Sequence, residues 1–116
     1  MDNIVQKSLN GQLLLMASLA AVDGVEIFIA RGAEVNTTDE QGWTPLMHAV
    51  LAVGNARGRI RAVRINIVTK LLWHGADVNH QADDGQTALN IALTMGQKDI
   101  AKLLLAQGAE VASINN

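Results

Sequence analysis

Cysteine is absent from this 116-residue chain, which removes both a disulfide framework and a thiolate metal site. Aromatic residues make up only 3% while the apolar share is 49%, so Ala, Leu, Val and Ile must fill the core. Such residues suit helices that lie close together. No apolar run approaches the roughly 18 residues of a membrane span, and no basic region precedes an apolar one at the N-terminus. The expectation is a soluble intracellular, cytoplasmic protein with no membrane span. At this length the chain is one domain, 1–116, able to bury on the order of 65% of its unfolded surface.

Charge of one sign is also scarce taken whole, with a formal net charge of −2. Its distribution is uneven. Of nine basic residues, Arg57, Arg59, Arg61 and Arg64 crowd one short segment, leaving five basic against eleven acidic residues elsewhere. Seven acids (Glu34, Asp39, Glu40, Asp77, Asp83, Asp84, Glu110) fall in Gly-marked turns. One edge of the molecule is therefore expected to be acidic and one projection basic.

What the chain has in abundance is internal repetition. From Asp83 to Val111 a Gly turn leads into Leu89, Ile91, Ala92 and Leu93, breaks at Gly96, and resumes with Ile100, Ala101, Leu104 and Leu105 before Gly108. The spacing is helical, and each segment is too short to be stable alone in water. Two such helices make a hairpin with one apolar face, which needs a neighbour. Upstream, Gly42, Thr44, Leu46 and Ala49 match Gly85, Thr87, Leu89 and Ala92 at an offset of 43, whereas Leu71-Leu72 and Gly75 match Leu104-Leu105 and Gly108 at 33. The difference of ten residues is an insertion near 54–63. A weaker copy runs from Leu13 to Val35, with Val25, Phe28, Ile29 and Gly32-Ala33 in place of Val68, Leu71, Leu72 and Gly75-Ala76. A turn-helix-helix unit recurring every 33 residues is the mark of a solenoid.

These residues resemble the ankyrin repeat, whose pattern runs roughly D-x-x-G-x-T-P-L-H-x-A, then G-H, then I-V-x-x-L-L-x-x-G-A-D-V-N. The middle copy supplies Gly42, Thr44-Pro45-Leu46, Ala49, Ile67-Val68, Leu71-Leu72 and Gly75-Ala76-Asp77-Val78-Asn79. The resemblance implies an all-α solenoid of stacked helix-turn-helix units with short hairpin-like turns. Its repeats would span about 8–36, 37–79 with the insertion, and 80–112. The first, without a Gly-x-Thr-Pro entry, would act as an end cap. Met47 and Asn90 stand where the family usually has His.

Local signals agree with that layout. Ser8 is positioned to cap a helix from Leu9 to about Ala20, and Asp23 to open a second one to about Ala30. Thr44 caps the next helix with Pro45 at its first position, where no N–H is needed. In the insertion, Ile60, Arg64, Ile67, Val68 and Leu71 fall at three- and four-residue steps. That pattern favours a second helix extended backward by two to three turns, placing Arg57, Arg61 and Arg64 on one face; the alternative is a basic loop hinged at Gly54 and Gly58.

The resemblance also implies a protein-binding module that uses turn tips and the concave surface of the first helices. Carried over position by position, this gives Glu40, Gln41, Trp43, Leu51 and Ala52, then Asp83, Asp84, Gln86, Thr94 and Met95. Ser18, Arg31 and His74 fall at looser positions. Trp43 is the leading candidate for an apolar anchor, against packing on a neighbouring turn. Trp73 is expected to lie flat across neighbouring side chains rather than form an exposed patch. The Arg cluster offers an alternative anion-binding surface for nucleic acid or phospholipid, against a solvated insertion without interleaved aromatics. Leu93 and Met95 on the last repeat, with no further repeat after it, suggest self-association.

Nothing points to catalysis or to a cofactor. His48, His74 and His80 are spaced by 26 and 6, which fits no helical ligand pair. His48 reads as a satisfied core histidine. Asp83 and Asp84 are adjacent on a turn and point apart, and Gly54–Gly58 lacks the lysine and preceding strand of a phosphate loop. The expectation is a non-enzymatic module whose partner is another protein.

Overall fold

A computed structural model describes residues 2–55 and 61–111, and among these the chain forms six helices and no strand. They are α1 (Asp2–Ser18), α2 (Val22–Ala30), α3 (Pro45–Asn55), α4 (Arg61–Trp73), α5 (Ala88–Thr94) and α6 (Lys98–Ala106). Within each pair the helices pack on one another, α1 stacks on α3 and α3 on α5, and α2 stacks on α4 and α4 on α6. Two layers of three helices result.

Helix starts and stops follow from local chemistry. The Thr44 and Thr87 hydroxyls accept from the Met47 and Asn90 N–H groups at 3.3 and 3.1 Å, capping α3 and α5. Five helices end in the same way. At Gly32, Gly75, Gly96 and Gly108 the chain turns left-handed, and the following N–H reaches back to the carbonyl five residues before it. The same pattern ends α1, but there Ala20 takes the left-handed position at φ 55°.

The core runs the length of the stack. Leu13, Val25, Leu46, Met47, Val50, Ile67, Leu71, Leu89, Ile100 and Leu104 are essentially fully buried. Met47, at the position where the resemblance leads one to expect His, is an apolar filler between α3 and its neighbours.

One expectation about the helices needs correction. α1 begins at Asp2, so Ser8 lies inside a helix rather than capping one. Its first two turns are held by tertiary hydrogen bonds: Gln6 Nε2 donates to Gly32 O at 3.0 Å, and Asn10 Oδ1 accepts from the Glu34 N–H at 2.9 Å. The backward extension of α4 expected for the insertion falls on residues 56–60 and so lies outside the described residues. α6 begins at Lys98, which the 33-residue offset maps to Ile65, and the described part of α4 reaches one turn further back, to Arg61. α5 ends at Thr94, which the 43-residue offset maps to Leu51, and α3 runs one turn further, to Asn55, with Val53 buried in the core. Arg57 and Arg59 lie outside the described residues.

The turns are fastened to one another by a side-chain ladder. Asn36 Nδ2 donates to Gly75 O at 3.1 Å while its Oδ1 accepts from the Asp77 N–H at 2.7 Å. One repeat later Asn79 does the same to Gly108 O and the Glu110 N–H, at 3.0 and 2.8 Å. Gln6 and Asn10 of α1 make the corresponding bonds to Gly32 and Glu34, so the long first helix closes the ladder at that end.

Candidate binding face

The turn between the first two helix pairs is built around one carboxylate. Asp39 Oδ1 accepts from the Gln41 and Trp43 N–H groups, each at 2.9 Å, and Oδ2 pairs with His48 Nε2 at 2.7 Å. Burial alone would raise the Asp39 carboxyl, but the bonds from Trp43, His48 and Gln41 outweigh it and hold the group below its usual value. His48 is thus half-buried and satisfied by the turn rather than by the core. Its ring lies 5.3 Å from the Trp43 ring, tilted by 49°. That contact holds the half-buried indole against its own turn.

The next turn repeats the shape with different atoms. Ala82 replaces Asp39, and the carboxylate work passes to Asp84, whose Oδ1 accepts from the Gln86 N–H at 3.1 Å. The Gln86 backbone and side-chain N–H groups hold the exposed Asp84 carboxyl below its usual range. The two turns are joined directly: the Asp83 N–H donates to Gln41 O at 3.0 Å, and His80 Nε2 bonds Gly42 O at 2.8 Å. A Cβ on Gly42 would come within 2.6 Å of Asp83 Oδ1, and at φ 80° the position favours glycine in any case.

Trp43 stands between two hollows. On one side, Trp43, Leu51, Gln86, Ile91, Thr94 and Met95 enclose a mostly apolar pocket of about 140 Å³. On the other, Gln41, Trp43, Asp83 and Asp84 line an acidic hollow of about 360 Å³. Beyond Gln41 lies a wider, polar hollow of about 850 Å³, between Lys7, Asn10, Gly11 and Leu14 of α1 and the Thr37–Gln41 turn. The structure therefore brings Gln41, Trp43, Leu51, Asp83, Asp84, Gln86, Thr94 and Met95 together along one face. Glu40 borders only the α1 hollow, and Ala52 is half-buried on α3 outside all of these linings.

Other candidates lie elsewhere. The Ser18 hydroxyl donates to Leu15 O at 2.7 Å, and Arg31 sits 5.9 Å above the Phe28 ring. His74 Nε2 meets Glu26 Oε1 at 2.6 Å, with Lys70 Nζ 3.5 Å from Oε2, stapling α4 to α2. The His74 bond, outweighing burial, draws the Glu26 carboxyl below its ordinary value. Arg61 and Arg64 fall on the first turn of α4, with their side chains outside the described residues. Met95 is partly covered: it turns back toward Trp43 and α3 and packs against Gly54. Trp73 does not lie flat: it is 83% exposed beside a shallow hollow lined by Thr69, Leu72, Leu103 and Gln107.

Three structural roles were not anticipated from sequence. Gln97, 4% exposed, donates from Nε2 to Val50 O at 3.0 Å and ties the α5–α6 turn to α3. Its position after Gly96 is where the family pattern puts His, which was the available signal. Asn36 and Asn79 carried one as well, recurring at the 43-residue offset. The α1 hollow had none, because it depends on the helix starting at Asp2.

Comparison with known proteins agrees with this architecture. The family model described as ankyrin repeats (3 copies) matches residues 59–116, half of the chain. The chain is 41% identical over 76 residues to the putative ankyrin repeat protein YahD of Escherichia coli strain K12, covering 65% of this chain and 35% of that protein. It is 34% identical over 89 residues to the mouse B-cell lymphoma 3 protein homolog, covering 76% and 18%. With the start control protein cdc10 of Schizosaccharomyces pombe it shares 30% identity over 128 aligned positions, covering 92% and 17%. The chain thus spans 17% to 35% of the length of these relatives.

Proposed function

The chain belongs to the ankyrin-repeat family, whose repeats are general protein-interaction modules, and we infer that it binds another protein through its turn tips and concave first-helix face. The observation that carries this reading is the convergence of Trp43, Leu51, Gln86, Thr94 and Met95 on one pocket flanked by turn carboxylates. A half-buried indole held by His48 loses little freedom on binding, which is what makes such residues effective anchors. Gln41, Asp83 and Asp84 form the polar rim, and Glu40 and Ala52 extend the contact at its edges. The family is typically non-catalytic, and the reading assigns the chain no reaction and no cofactor.

The test is a pull-down comparing wild type with Trp43→Ala and Trp73→Ser. Partners retained by wild type and Trp73→Ser but lost by Trp43→Ala support the concave face. Loss on Trp73→Ser with retention on Trp43→Ala would move the site to the outer surface. Loss on Arg57/Arg61/Arg64→Ala with a steep salt dependence would instead identify an anionic partner at the insertion. The same reading assigns self-association to the outer face of the last repeat, where Leu93 is exposed. The whole chain, 1–116, acts in it as one domain, with repeats at about 8–36, 37–79 and 80–112.

A further inference from the structure

The concave face carries more than a location, because its two adjoining hollows differ in chemistry and share one wall. The pocket of about 140 Å³ is lined by Leu51, Ile91, Met95 and the Trp43 ring, with Gln86 and Thr94 at its rim. A hollow of that size accommodates a benzene-sized group, which suits one aliphatic or phenyl side chain. Across Trp43, the neighbouring hollow offers the carboxylates of Asp83 and Asp84. An extended chain advances about 3.3 Å per residue. A side chain seated against Trp43 therefore leaves the next one or two residues over those carboxylates. Among the described residues neither Asp83 nor Asp84 is paired with a basic side chain: Arg31, Lys70, Lys98 and Lys102 belong to the second-helix layer, and Lys7 lines the separate hollow beside α1.

Resting on the concave-face reading above, we propose that the occupant is an extended peptide segment carrying one aliphatic or phenyl anchor followed within two residues by lysine or arginine. The anchor supplies the burial, and the basic residues supply orientation and a salt-dependent association rate. Because the carboxylates are exposed, their share is small and screened; the pocket decides whether binding occurs, and the acids decide which sequences are preferred.

Selection of random dodecamer peptides displayed on phage against the full chain tests this, followed by titration of the enriched peptides with fluorescein labels. The expected motif is an aliphatic or phenyl residue with Lys or Arg one or two positions away. Thr94→Arg, an exposed rim change that fills the pocket without touching the core, should weaken those peptides at least about tenfold. Asp83→Asn with Asp84→Asn should weaken them about three- to tenfold at low salt and flatten the salt dependence. Peptides that are blocked by Thr94→Arg but bind the Asn variant unchanged, or that carry acidic flanks, would overturn the proposed chemistry while leaving the concave site standing. Peptides indifferent to Thr94→Arg and Trp43→Ala would overturn both. A selection that enriches no peptide also counts against an extended segment as the occupant.

Discussion

At Ala20 the backbone takes φ 55°, the conformation that glycine supplies at the other four helix ends of this kind. A left-handed L-residue costs roughly 1–2 kcal/mol, and part of that is offset because glycine gains more freedom in the unfolded chain. Ala20→Gly should therefore stabilise the protein by about 0.5–1 kcal/mol, seen as a raised urea midpoint with an unchanged slope. Asp39 makes the opposite case. Its carboxyl is held below its ordinary value, so its contribution is present above that ordinary value and is lost as pH falls through the folded one. Asp39→Asn, which keeps an acceptor but loses the charge facing His48, should cost about 1–2 kcal/mol at pH 7. Urea midpoints of the two proteins should draw together as the titration is repeated at successively lower pH, below the ordinary carboxylate range. The residue types that made Trp43 and Met95 visible in the sequence were position in the repeat and apolar size. The Asp39–His48 and Glu26–His74 pairs were not visible, because contacts 9 and 48 residues apart, each made once, leave no periodic trace.

At the scale of elements, the repeat register accounted for every helix that is short and glycine-terminated. It failed where tertiary contacts override local signals. α1 runs back to Asp2 because Gln6 and Asn10 find partners on the first turn, a gain invisible in the helix itself. Offset arithmetic puts an insertion near 54–63, but that α3 runs on to Asn55 depends on what Val53 and Gly54 meet. Two glycines in these lengthened helices separate the effects. Gly11 faces open space inside α1, so Gly11→Ala should stabilise by about 0.5–1 kcal/mol through helix propensity alone. A Cβ on Gly54 would sit 2.6 Å from Gln97 Nε2 and 3.2 Å from Met95 Cβ. Propensity there works against packing, and packing wins: Gly54→Ala should destabilise by about 1–2 kcal/mol. Thermal melts of the two variants should shift in opposite directions. Equal stabilisation would mean that the extra turn of α3 does not pack on the α5–α6 turn.

At the scale of the whole molecule, the two ends of the stack are not equivalent. Leu93, Leu105 and Val111 are 56%, 45% and 70% exposed, and the repeat offsets place them over Val50, Leu72 and Val78, which the next repeat covers or partly covers. The last repeat therefore presents the surface that inner repeats use for stacking. Leu15, Leu19 and Ile27 are exposed at the other end as well, so apolar surface alone would allow head-to-tail stacking into open filaments. The turn ladder argues against that outcome. Gly32 O already accepts from Gln6 and the Glu34 N–H already donates to Asn10, while the position 33 residues after Asn79 is Ala112, which has no side-chain amide to offer. Two copies joined through their last repeats need no ladder and close on a two-fold axis. Light scattering should accordingly show a mass that rises with concentration and levels off at a dimer. Leu93→Lys should hold it at the monomer, and Leu19→Lys should leave the rise unchanged. A monomer at high concentration would remove the self-association, and growth past the dimer would show that the ladder does not limit stacking.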